Sequence, residues 1–201
     1  MRISMHVAAR RAALLAVALL AGCGSSPKTN FYTLSSRTPP PAAPAAVAPY
    51  RVAIGAVAVP DVVDRPQLVT RSGANQLNLD EFSRWAEPLK SEIPRVIAAN
   101  LSRELDGALV YTYPQSSTVA ADCKVQIEVQ RFDSVPGEAA TVEVLWSVQP
   151  AKGQAKSGRA VVREAAGGAG NDALVAAHSR ALAAVSVDIA AAVRAARAAV
   201  K

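Results

Sequence analysis

The segment CKVQIEVQRFD, Cys123 to Asp133, alternates strictly through its first eight residues: Cys123, Val125, Ile127 and Val129 point one way, and Lys124, Gln126, Glu128 and Gln130 the other. A period of two sends successive side chains to opposite faces of a strand, so one face is apolar and the other wet. TVEVLWSVQ, starting at Thr141, repeats the pattern with Val142, Val144, Trp146 and Val148 set against Thr141, Glu143 and Ser147. SGRAVVREA, starting at Ser157, is a weaker third copy. The three predict an antiparallel meander with one face in solvent and one that something else must cover.

Two amphipathic segments are available to cover it. In EPLKSEIPRVIAANLSRELDG, Glu87 to Gly107, the residues Ile93, Val96, Ile97, Leu101 and Leu105 fall on one helical stripe, and Gly107 suits the C-terminal cap. After the loop AGGAGN, a helix of nearly thirty residues (~3.6 per turn) sets Leu174, His178, Ala181, Leu182, Val185, Ile189 and Val193 on one side. Before both, YRVAIGAVAVP is small or apolar on both faces, which predicts a strand inside a sheet with neighbours on either side. The expected fold is therefore α+β: a two-layer sandwich with a mostly antiparallel sheet and two amphipathic helices on one face.

The beginning of the chain determines where this domain works. Arg2, Arg10 and Arg11 precede the apolar run AALLAVALLAG, which is short for a bilayer span and reads as a signal peptide over residues 1–22. LAGC, Leu20 to Cys23, resembles the lipobox of bacterial lipoproteins, which implies cleavage before Cys23 and acylation of that cysteine. Several acyl chains anchor stably, since each buried methylene contributes about 0.8 kcal/mol. Gly24 in place of an aspartate favours the outer membrane by resemblance to the enterobacterial sorting rule. Three of the 22 basic residues leave with the leader, which lowers the formal charge from +6 to +3 and gives no case for nucleic acid. Cys123 is then the one cysteine not acylated, so an intramolecular disulfide is excluded.

Residues 23–49 read as an acylated N-terminus and a Pro/Ala-rich tether, and residues 50–201 as a single domain. Five prolines from Pro39 to Pro49 favour extended polyproline geometry, a semi-rigid spacer expected to hold the body off the lipid. FYTL, Phe31 to Leu34, interrupts that spacer with strand-forming residues and is expected to dock on the body.

DRPQLVTRSGANQL, Asp64 to Leu77, is built differently from the rest. Its arms QLVTR and QLNLD alternate around Ser72, Gly73, Ala74 and Asn75, which predicts a hairpin with Gly73 at a positive φ in the turn. Leu68, Leu77 and Leu79 are expected to share the inward face, leaving Arg65, Gln67, Arg71, Asn75 and Gln76 as candidate residues for binding a partner or a sister subunit. FSRWAEPL then spaces Phe82, Trp85 and Leu89 by three and four, predicting a helical anchor packed in the core.

The run from Val59 to Leu89, VPDVVDRPQLVTRSGANQLNLDEFSRWAEPL, resembles the signature region of the PqiC family, auxiliary lipoproteins of ABC-type and MCE transport systems. The lipobox followed by FYTL, the RFD at Arg131 to Asp133 and the closing LVAAHSRALAAVSVDIA are similar to that family in order and spacing; the long Pro/Ala insert departs from it. The resemblance implies a non-enzymatic outer-membrane lipoprotein, periplasmic and lipid-anchored, that docks an MCE-domain partner of a lipid transport system linking the two membranes and supports envelope integrity. It implies no cofactor and allows a homo-oligomer. The alternative is a structural lipoprotein of lipopolysaccharide or outer-membrane protein assembly.

Catalysis finds little support in the residues. His178 has serine neighbours but no G-x-S-x-G elbow and no acidic third member, and one histidine with one cysteine lacks any metal-ligand spacing. A G-x-x-x-x-G-K-[ST] loop is absent, so the chain is not the ATPase of such a system.

Overall fold

The computed structural model describes residues 27–36 and 50–199. In chain order these form β1 (Asn30–Tyr32), β2 (Arg51–Ile54), β3 (Gln67–Gly73), β4 (Gln76–Trp85), α1 (Leu89–Glu104), β5 (Leu109–Tyr111), a 3-10 turn (Gln115–Ser117), β6 (Cys123–Val135), β7 (Ala139–Pro150), β8 (Lys156–Ala165) and α2 (Asn171–Ala198). The fold is α+β, as the patterning predicts. The signal peptide, Cys23 and the Pro/Ala run fall outside the described residues.

The larger sheet has the order β5-β2-β6-β7-β8. Its antiparallel half is the predicted meander, with β6 paired to β7 from Cys123↔Pro150 to Val135↔Ala139 and β7 paired to β8 from Ala139↔Ala165 to Val148↔Lys156. Val125, Val142, Val144 and Val148 are wholly buried beneath α2, which lies across β6, β7 and β8; α1 packs beside α2 and against β5. On the opposite face Glu143 pairs with Arg159 at 2.7 Å, and Leu145 and Val161 are partly exposed. Gly158 is required on the covered face, because a Cβ there would collide with the Trp146 indole.

The single, mostly antiparallel sheet expected from the sequence is in fact two mixed ones. β2 runs parallel to both its neighbours, β5 and β6, and a separate three-stranded sheet has the order β1-β4-β3 with β1 parallel to β4. β2 does have the two neighbours its apolar faces foretold, but it ends at Ile54. Gly55 still donates its amide to the Val125 carbonyl at 2.9 Å; beyond it the chain leaves the ladder, returning through an isolated bridge from Ala58 to Glu128.

The helix expected at FSRWAEPL is the end of β4. Strand pairing overrides the three-and-four spacing: β1 and β3 take the two edges of this segment, Trp85 donates its amide to the Pro66 carbonyl at 2.7 Å, and α1 begins only after Pro88. The Schellman geometry at the end of α1 is carried by Asp106 (φ 55°), with Gly107 one position beyond donating to the Ser102 carbonyl at 2.8 Å.

Candidate functional site

The smaller sheet brings together the segments that stood out in the sequence, and it is fastened to the larger body by side chains. The first fastening is at the N-terminal segment. Ala86 donates its amide to the Tyr32 carbonyl at 2.8 Å, and Leu34 is buried. The Leu34 amide reaches Glu92 Oε1 at 2.9 Å and the Thr33 hydroxyl donates to the same oxygen, while the Ser35 amide meets Ser179 Oγ at 3.0 Å. FYTL thus docks on the body, along β4 and against α1, with Ser35 just beyond it reaching α2. Glu92 is fully buried; burial pushes its carboxyl above the ordinary value, against the opposing hydrogen bonds from Thr33 and Leu34 and the Arg95 guanidinium at 3.4 Å.

Ser36 and Tyr50 are both parts of the body, so residues 37–49 join two points of the body.

The second fastening is at the hairpin. Ala74 and Asn75 form its two-residue tip between the paired Gly73 and Gln76. Arg71 donates to the Ala74 carbonyl at 3.1 Å and to Asp133 Oδ1 at 3.1 Å, and Arg131 holds Asp133 Oδ2 at 2.8 Å. RSGAN and RFD, distant in sequence, therefore meet. Burial alone would raise the Asp133 carboxyl, but the two guanidinium groups hold it below the usual range.

The third fastening is a bulge in β4. Between Gln67↔Arg84 and Leu68↔Asp80 one strand advances one residue and the other four. Asp80 secures the bulge by accepting from the Phe82 amide at 2.9 Å and from Asn171 Nδ2 at 3.1 Å, and the same amide nitrogen donates to Ser83 Oγ at 3.0 Å. Burial acts to raise the Asp80 carboxyl, but hydrogen bonding from the Ser83 side chain, the Phe82 amide, the Asn171 side chain and the Ser83 amide brings it below its ordinary value.

Behind the bulge, Trp85 meets Phe132 edge-on at 6.0 Å, and Phe132 stacks on His178 at 3.8 Å. His178 Nε2 lies 2.8 Å from Ser134 Oγ, and Nδ1 has no partner among the described residues. Both side chains are buried, and burial lowers the imidazole to about 3. A neutral histidine without an acid on Nδ1 and without access to solvent is a core residue, not a general base. Among the described residues no group of three or more His, Cys, Asp or Glu is placed to hold a metal ion.

The sequence-predicted site residues separate accordingly. Asn75 and Gln76 are exposed at the tip. Arg65 is exposed beside a cleft of about 320 Å³ lined by Asp64, Pro66, Trp85, Ala86, Glu87 and Pro88. Gln67 donates to Glu81 Oε2 at 3.2 Å, and Arg71 is committed to the fold. Gly73 does not take the expected positive φ; it closes β3, and a Cβ there would meet nothing closer than Gln76 Cβ at 3.8 Å. Leu68 lies opposite Asp80 and is buried, whereas Leu77 and Leu79 lie opposite Arg71 and Val69 on the other face, Leu79 partly exposed. Trp85 is the core anchor expected; Phe82 is not, at 46% exposed. Sequence reasoning missed Glu92, although an acid beside Ile93 on an apolar stripe was the available signal.

Comparison with known proteins follows the same lines. Residues 32–190 match the family model of the ABC-type transport auxiliary lipoprotein component. A crystal structure of an uncharacterised protein superposes with a TM-score of 0.68 at 21% identity, covering 82% of this chain and 97% of its own. A DUF330-family protein of Xanthomonas campestris does so with a TM-score of 0.64 at 17% identity, covering 86% and 100%. These likenesses show the fold. No curated protein matches the sequence.

Proposed function

Since this chain belongs to the family of ABC-type transport auxiliary lipoprotein components, we propose that it is the outer-membrane lipoprotein subunit of an MCE/ABC-type lipid transport system, anchored through Cys23 and docking its MCE-domain partner with the β3–β4 hairpin. It acts without catalysis: its task is to present a surface at a fixed place above the membrane. The observation that carries this is the bracing of the hairpin. Arg71 locks the tip to Asp133 on β6, Asn171 locks the bulge, and the exposed side chains of Asn75 and Gln76 are left at a rigid end, with Arg65 at the base. A rigid polar tip loses little entropy on docking. Self-association into a ring through the same tip is the variant that closed symmetry favours.

A photo-crosslinking residue at position 75, compared with one at exposed Gln149 on β7, tests the reading in intact envelopes. Capture of an MCE-domain protein from position 75 alone is the expected result. Capture of a β-barrel or lipopolysaccharide assembly component instead would replace it with the alternative. Cys23→Ser, which lacks the thiol that accepts the lipid, is expected to leave uncleaved precursor in the inner membrane on fractionation.

A further inference from the structure

Among the described residues, the most exposed large apolar side chain is Phe31, at 67%. It stands on β1 directly opposite Arg84, and Phe82, in the bulge two residues before Arg84, is likewise open to solvent at 46%. The pairing of Asn30 with Ser83 and of Tyr32 with Trp85 turns the other face inward, where Ser83 and Trp85 are buried. Two exposed phenyl rings therefore stand on the small sheet next to Arg84 in register or sequence. The neighbouring acid Glu81 is paired, accepting from Gln67 at 3.2 Å and from Arg84 at 3.4 Å. Exposed Lys28 adds a positive charge three residues before Phe31.

What covers these rings follows from where the chain leads. Cys23 precedes Phe31 by so few residues that the connection spans at most about 29 Å even fully extended. β1 is fixed to the body by β4, Glu92 and Ser179, so the aromatic face cannot turn away from the anchor independently. We infer that Phe31 and Phe82 form a membrane-facing patch that rests in the interfacial region of the same bilayer that holds the acyl chains, with Arg84 and Lys28 at the level of the lipid phosphates. Aromatic rings and long cationic side chains are the groups that favour that boundary. The inference rests on acylation of Cys23. It makes the anchor and the patch two contacts on one surface, so the body has a set orientation above the membrane and the hairpin tip a set height.

The test uses the full lipidated chain, purified from membranes and reconstituted into phosphatidylethanolamine/phosphatidylglycerol vesicles. Phe31→Trp and Phe82→Trp are made separately, with Val161→Trp on the open face of β8 as control, and the emission of the parent chain is subtracted. Replacing the lipids by brominated counterparts is expected to halve, at least, the added emission from positions 31 and 82 and to leave position 161 unchanged. A chain that floats with the vesicles but shows no quenching at 31 and 82 overturns the patch while sparing the anchor. A blue-shifted but unquenched indole means a second protein copy covers it, which also overturns the patch. A chain that fails to float overturns the anchor and the patch together.

Discussion

The two sheets of this protein are held by different forces. In the five-stranded sheet, long ladders and an apolar face beneath α2 do the work, with Val142, Val144, Leu182 and Ile189 removed entirely from water. The three-stranded sheet shares part of that core through Leu68 and Trp85, yet its position is specified by polar ties: Glu92 to Thr33 and Leu34, Arg71 to Asp133, and Asn171 to Asp80. Apolar burial is non-directional and tolerates small displacements, whereas a buried hydrogen bond fails when geometry slips. A region meant to present a surface at a defined place is better fixed by the second kind of contact.

The contrast can be broken first where it is strongest. Leu182→Ala removes a fully buried side chain from the large layer and is expected to lower global stability by about 2–5 kcal/mol in urea unfolding. Loss of both sheets in one transition is the expected outcome; early loss of the small sheet alone would show that its ties do not couple it to the body.

Next in size is His178, where the regions join. Its folded value near 3 lies below the ordinary 6.5, so the unfolded chain takes up a proton that the native one refuses. Its contribution is complete above pH 6.5 and is lost as pH falls toward 3, at up to about 1.4 kcal/mol per pH unit. Glu92 has the opposite sign: raised above 4.5, it contributes stability that is present below that value and lost as pH rises through its folded value. His178→Gln keeps an amide for Ser134 and should flatten the acid side of a stability–pH curve recorded between pH 6.5 and 4. If the slope is unchanged, protonation of this imidazole is not what limits acid stability.

Glu92→Ala leaves the Leu34 amide without its acceptor, at a cost of about 1–3 kcal/mol, read as faster hydrogen exchange at Leu34 and Ser35 and easier proteolysis of residues 27–36. Glu92→Gln retains the acceptor oxygen and should protect the segment almost as well, without the loss of stability at rising pH. Smallest is Arg71→Ala, about 1 kcal/mol, because Asp133 keeps Arg131. The expected signature is local: unchanged circular dichroism, but faster exchange of the amides near the hairpin tip. A global loss like that of Leu182→Ala would place the hairpin in the same cooperative unit as the core.

What could be read beforehand follows the same division. The meander, both helices and the buried stripe from Leu174 to Val193 were legible because burial on one face writes a period into the sequence. The hairpin arms were legible too. The second sheet was not, since β1 reaches β4 across more than fifty residues and parallel pairing leaves no local mark. Phe82 and Trp85 show the cost: their spacing suits a helix, and only the neighbours on either side of β4 make it a strand. Arg71 stands by sequence as a candidate partner-binding residue because a guanidinium in a polar hairpin says nothing of Asp133, sixty-two positions away.

With Ser36 held by the body on one side and Tyr50 on the other, a connection between them has both ends fixed by the fold. Doubling the length of such a loop costs only about 0.6 kcal/mol in closure entropy. Its length is thus nearly free to drift, whereas each residue added before Asn30 would lengthen the connection to Cys23, the proposed anchor. For an experimenter this makes residues 37–49 the place to insert an epitope or a fluorescent domain, since the body holds the chain on both sides of the insertion.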